Sequence, residues 1–305
     1  MQSPSIDLHL GTHKTASTHF QAYLNKHHAI LSKNKIEFHS PGKIRRNFIN
    51  NLEEIGLETF FPKYKLKFYP LNFIMSHNAK RFIKKIRDTE NIERHIFSDE
   101  NMLGKCDEII NSRTIYPSSK HRLMRMKKCL WTEPTNIYLS IRNFYTYVPS
   151  AYSETVRHRS FLPYSDYVAN LDLNELSWIP LIHDIKSVFP KSKIVVWQYE
   201  SYQLKLKEIL IEMFGEEIGE LLKAIDLQKR VRISLGSNGI KFLAGFSKTY
   251  TNWEMRKLRP KVIEIFARNS QHVPFNPWPE LKKPLSDLYE NDLQNIPQIP
   301  NVRLL

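Results

Sequence analysis

Eight consecutive residues, Gly11-Thr12-His13-Lys14-Thr15-Ala16-Ser17-Thr18, combine small side chains, a lysine and several hydroxyls. A strand-like stretch precedes them and a helical one follows. Such a loop points its backbone N–H groups at one spot, where the helix dipole adds partial positive charge. Small residues let an anion come close to the backbone. Lys14 adds a full charge, and Thr15, Ser17 and Thr18 add donors, so the chemistry this loop suits is phosphate binding. A plainer role is open to the same residues: Ser17 or Thr18 would serve as an ordinary helix N-cap. A second constellation is Arg142, at the end of an apolar run, with Ser150 eight residues later on the following helix. A guanidinium fork fits a phosphate, and a hydroxyl can close its other side. Third, Asp99 and Glu100 follow the run Ile96-Phe97-Ser98, and open α/β sheets bind their ligands beyond strand ends of this kind. Glu100 is the first candidate for a general base, with Asp99 and His13 as alternatives. A carboxylate there could equally pair with Lys14 or Arg142, or cap a helix.

The loop is not a Walker A motif, which has a glycine directly before a lysine near the loop's end. Here His13 precedes Lys14, and Lys14 comes early. Lys14-Thr15-Ala16-Ser17-Thr18 instead resembles the 5′-phosphosulfate-binding loop of the sulfotransferases. The longer run from Gly11 is more similar still to the Gly-Thr-His-Lys-Thr-Gly-Thr-Thr loop of bacterial members, with Ala16 at the family's glycine and Ser17 at a threonine. Arg142 and Ser150, continued by Ala151-Tyr152, resemble that family's 3′-phosphate motif. Trp197-Gln198-Tyr199-Glu200 and Arg230-Val231-Arg232-Ile233-Ser234-Leu235 are similar, less specifically, to a later strand end and to a loop over the nucleotide.

The resemblance runs from about residue 6 to about residue 245. It implies a P-loop NTPase-like architecture: a central parallel sheet flanked by helices. It implies 3′-phosphoadenosine 5′-phosphosulfate (PAPS) as cosubstrate, with PAP as product, held by Gly11 to Thr18, Arg142 and Ser150, and no metal requirement. Lys14 would neutralise the leaving oxygen, and Glu100 matches the base position of bacterial relatives. The acceptor would be a hydroxyl or amine, first of all on a glycan or glycolipid.

The elements that must position these groups follow from periodicity. Apolar–polar alternation predicts a strand over 6–10, and apolar and β-branched runs predict strands over 95–98, 136–141 and 193–198. Helical spacing covers 18–31, 178–189 and 204–214, the last stopping at Gly215. Strands alternating with helices predict one parallel α/β domain over 1–270. Residues 40–90 have no clean period and are expected to form an insertion over the ligand edge. The proline-rich tail over 271–305 is expected to pack on the domain or to be partly mobile.

Composition excludes several classes. With 41% hydrophobic and 25% charged residues the chain is globular rather than disordered. Cys106 and Cys129 can form neither a disulfide framework nor a structural zinc site. No apolar run approaches bilayer-spanning length, and no signal-peptide pattern opens the chain. A cytoplasmic protein, or one facing the cytosol at a membrane surface, is expected. The 45 Lys+Arg against 31 Asp+Glu, a net +14, favour anionic partners without choosing among them. No nucleic-acid motif is present. Two other readings remain. Phe97-Ser98-Asp99-Glu100 resembles a Walker B strand, which with Lys14-Thr15 would make a kinase or ATPase with Mg²⁺ on Asp99. The charge alone would also suit a non-enzymatic polyanion-binding module.

Overall fold

The computed structural model describes residues 3–52, 69–223, 235–267 and 273–305. Six strands form one sheet: β1 (Ser5–His9), β2 (Ile36–His39), β3 (Arg94–Ser98), β4 (Asn136–Ile141), β5 (Lys193–Gln198) and β6 (Val302–Leu304). Their order is β2-β3-β1-β4-β5-β6 and every pairing is parallel. The protein is therefore a parallel α/β fold with helices on both faces, as expected. Alternate residues of each strand serve opposite faces. Ile6, Leu8, Phe97, Ile137, Leu139 and Val196 enter one apolar cluster. Ile96, Tyr138, Val195 and Trp197 enter the other, with Phe20 and Leu24 of the first helix.

The chain winds outward from β1 in both directions. It first reaches β2 and β3 on one side, then β4, β5 and β6 on the other. That reversal leaves a crevice beyond the carboxyl ends of β3, β1 and β4, the place where ligands bind in open α/β sheets. At the opposite end Asp7 fastens the same three strands. Its carboxylate accepts from Arg94 Nε on β3 (2.7 Å) and from the Asn136 N–H on β4 (2.9 Å). The apolar–polar alternation of β1 thus does not mark a solvent face. Asp7 and His9 are both buried and find polar partners inside the sheet, His9 through Ser98 Oγ at 2.7 Å.

The structure adds to the sequence expectations in four places. β2 and β6 were not foreseen. The stretch over 18–31 is two helices, α1 (Ser17–Lys26) and α2 (His28–Lys33), separated at His27. The described part of 40–90 is mostly helical, at Pro41–Ile44 and Tyr69–Arg87 with a π turn at Arg45–Ile49, and it buries Ile44, Phe48, Ile83 and Ile86. The proline-rich C-terminal segment is built into the sheet, through the helix Lys282–Asn295 and the edge strand β6. Residues 230–234 of the weaker nucleotide-loop match lie outside the described residues. Among the described residues no helix is long and apolar enough to cross a membrane.

Candidate active site

β1 delivers the loop over 11–18 to the crevice. Gly11 sits at φ 47°, and a Cβ there would meet Ser17 Oγ at 2.5 Å. Thr15 Oγ1 and Ser17 Oγ both donate to the Thr12 carbonyl, at 2.7 and 3.2 Å, which folds the loop back on itself. Lys14 and Ala16 both adopt left-handed backbone, each at φ 65°. This accounts for a glycine at the position of Ala16 in the resembled motif, because glycine alone enters that region without strain. Among the described residues the N–H groups of Lys14, Ala16, Ser17 and Thr18 have no hydrogen-bond acceptor, while a turn over His13-Lys14 brings the Thr15 N–H back toward the Thr12 carbonyl. Four such donors at the start of α1, in a left-handed turn, make a concavity whose chemistry suits an anion.

β4 delivers Arg142. Its Nη1 donates to the Lys14 carbonyl at 2.7 Å and lies 3.5 Å from Ser150 Oγ, and its Nε donates to Thr146 Oγ1 at 2.9 Å. Its guanidinium covers the Tyr199 ring at 4.3 Å. Glu200 accepts from the Asn143 N–H at 3.0 Å, so the Tyr199-Glu200 pair after β5 engages Arg142 and the residue that follows it. Burial lowers the Arg142 pKa, and Tyr199 and Glu200 oppose that only in part. An arginine stays charged under these conditions. Among the described residues no carboxylate lies within ion-pair distance of it. The arrangement is a partly buried cation with neutral partners, directly beside the unpaired loop amides.

The helix Phe144–His158 carries both Ser150 and, one turn later, Glu154. Glu154 pairs with Lys14, Oε2 to Nζ, at 3.2 Å, with each side chain 14% exposed. Burial lowers the Lys14 pKa, and Glu154 pushes it back up incompletely. Glu154 was not singled out from the sequence, although its place four residues after Ser150 on one helix face was a usable signal.

β3 delivers Asp99 and Glu100, and the structure separates them. Asp99 is fully buried. Arg45 Nε and Nη2 grip its two oxygens at 3.0 and 2.7 Å, and Oδ1 also accepts from the Asn101 N–H at 3.0 Å. Burial raises its pKa and Arg45 offsets that only in part, and both of its oxygens are committed to Arg45 and Asn101 rather than turned to the crevice. Glu100 is held more loosely, by Gln21 Nε2 at 3.3 Å and Arg45 Nη2 at 3.5 Å. Burial would raise its pKa, but His13, a backbone hydrogen bond, Arg45 and Gln21 together hold it below the ordinary glutamate value. It is ionised at neutral pH, as a proton acceptor must be. His13 is engaged on both ring nitrogens. In the amide orientation that satisfies all neighbours, Asn101 Nδ2 donates to His13 Nε2 (2.9 Å), while Nδ1 bonds the Tyr116 hydroxyl (2.8 Å). The Tyr116 hydroxyl also accepts the His13 backbone N–H at 2.7 Å. Gln21, Arg45, Asn101 and Tyr116 come from four separate segments and carried no local signal.

No protein-family model and no curated protein matches the chain. Among solved structures, a sulfotransferase from Alicyclobacillus acidocaldarius is similar at a TM-score of 0.40 and 11% identity, over 83% of this chain and 95% of that one.

The left-handed backbone at 16 has a measurable consequence. An alanine there costs about 1–2 kcal/mol, while a glycine loosens the unfolded chain by about 0.4–1 kcal/mol and is the better N-cap. Ala16→Gly is therefore expected to stabilise the protein by up to about 1 kcal/mol in urea unfolding, and Gly11→Ala to destabilise it. An Ala16→Gly protein less stable than wild type contradicts this loop conformation.

Proposed function

We propose that the protein is a sulfotransferase that moves a sulfuryl group from PAPS to a hydroxyl or amine acceptor. The observation that carries this reading is the meeting of two separate sequence motifs at one point: Arg142 Nη1 reaches the Lys14 carbonyl at 2.7 Å and Ser150 Oγ at 3.5 Å. In this reading the loop amides of residues 14–18 hold the 5′-phosphosulfate, and Arg142 with Ser150 holds the 3′-phosphate.

The reaction is an in-line displacement at sulfur. The acceptor oxygen forms a bond to sulfur as the bond from sulfur to the bridging oxygen breaks, and PAP leaves with the electron pair. Lys14 neutralises the charge that grows on the bridging oxygen, an interaction strongest in the transition state. Glu100 takes the acceptor proton. The anionic donor would draw Lys14 away from Glu154, so the ion pair stands in for the donor's charge when the site is empty of it. No step calls for a metal. The kinase reading is weaker because Asp99 is gripped by Arg45 and the Thr15 hydroxyl is spent on the Thr12 carbonyl. The acceptor class we favour is a glycan or glycolipid, from the basic charge and the resemblance to bacterial relatives.

Charge-assisted hydrogen bonds are worth about 1.5–3 kcal/mol. Arg142→Ala is thus expected to weaken PAP binding roughly tenfold to a hundredfold, and Ser150→Ala by less. Ser150→Ala should leave adenosine 5′-phosphosulfate, which lacks the 3′-phosphate, nearly unaffected, and Arg142→Ala, which also loses its bond to the Lys14 carbonyl, should weaken that ligand far less than PAP. Calorimetric titration with the two ligands decides, and equal losses would remove the 3′-phosphate assignment.

Loss of a general base costs about 10²–10⁴ in rate. Glu100→Gln should lose that much transfer of labelled sulfuryl while PAP still binds. Glu154→Gln should stay active and bind PAP more tightly, since it frees Lys14. An inactive Glu154→Gln beside an active Glu100→Gln would move the base to residue 154.

A further inference from the structure

Away from this site, the edge of the sheet brings together Glu37 and His39 of β2 and His95 of β3. Glu37 and His39 are two residues apart and share a face, and Glu37 lies opposite His95 in the strand register. His39 Nε2 and His95 Nδ1 are 3.0 Å apart. Glu37 Oε2 lies 3.7 Å from the first and 3.5 Å from the second. A point equidistant from three atoms so spaced is about 2.0 Å from each, the length of a zinc bond to imidazole nitrogen or carboxylate oxygen.

We propose that Glu37, His39 and His95 bind a divalent transition-metal ion of the zinc class, as a structural clamp between β2 and β3. Two imidazoles and one carboxylate select such an ion over Mg²⁺ or Ca²⁺, which prefer all-oxygen sites. Both rings are buried, at 1% and 0% exposure. Aromatic walls fix the rings, Phe97 at 4.9 Å from His39 and Trp131 at 5.6 Å and nearly perpendicular to His95. Lys43 Nζ holds the other carboxylate oxygen of Glu37 at 3.5 Å and leaves Oε2 facing the imidazoles. Among the described residues Glu37 Oε2 is buried with no hydrogen-bond partner, and so are the outer nitrogens His39 Nδ1 and His95 Nε2. A single hydrogen bond between two neutral rings leaves the carboxylate unsatisfied, whereas a cation at the centre satisfies it. The bound ion would also steady the turn that follows β2, which carries Arg45 to Asp99 and Glu100.

The test uses full-length protein freed of metal by chelation. Titration with Co²⁺, followed by visible absorption, should give one equivalent bound through nitrogen and oxygen. Zn²⁺ should displace it and raise the melting temperature, and Mg²⁺ should do neither. Glu37→Gln, a near-isosteric change at a partly exposed side chain, should weaken Co²⁺ binding at least tenfold, and His95→Gln should abolish it. Failure of the wild type to bind Co²⁺ or Zn²⁺ stoichiometrically overturns the proposal. So does unchanged affinity in Glu37→Gln, which decides the matter if His95→Gln does not fold.

Discussion

The sheet reverses its winding at β1, and the site depends on that reversal. Because β1 lies between β3 and β4, a backbone loop, a carboxylate and a guanidinium emerge side by side from three adjacent strand ends. Each could not reach the others from a more distant strand. Asp7 holds this arrangement from the far end: with Arg94 on β3 and Asn136 on β4 it fixes the three strands in register, so that His9, Ser98 and Tyr138 lie level beneath the crevice. A buried aspartate in a central strand stabilises little by itself, but losing one of its partners would leave a charge in the core.

The crevice built on that frame is electropositive for two separate reasons. The loop contributes unpaired amides and a helix terminus, and Arg142 contributes a charge that neutral groups and an aromatic ring support without cancelling. Lys14 differs in having Glu154 as a counter-ion. A site so arranged favours a ligand with two separated anionic groups, one at the loop and one at Arg142. A nucleotide with phosphate at both its 3′ and 5′ ends meets that description, which is the physical content of the proposed donor.

Much of this was legible in the sequence wherever the signal is local. The loop over 11–18 announces itself by composition, and β4 and β5 by their apolar runs. Arg142 and Ser150 could be paired because their spacing, after a strand end, resembles the 3′-phosphate motif of a known family. What escaped was set by non-local contacts. β2 is four residues long and β6 three, and each is a strand only because a neighbour completes its hydrogen bonds. Asp99 stood as an alternative to Glu100 in the chain, and what separates them is Arg45, more than fifty residues earlier, which immobilises the first and merely touches the second. The alternation of β1 marked a strand, but nothing nearby reveals that Asp7 and His9 are buried with partners on neighbouring strands. Glu154 could have been found by following the helix face one turn past Ser150.

The most direct measurement is binding of PAP in the presence of EDTA, set against ATP with Mg²⁺, by calorimetry and thermal unfolding of the same protein. A ligand bound only by the native state raises its stability by mass action. PAP is expected to bind and to raise the melting temperature without metal, with little or no response to ATP and Mg²⁺. Stabilisation by ATP and Mg²⁺ alone, with none by PAP, would contradict the account.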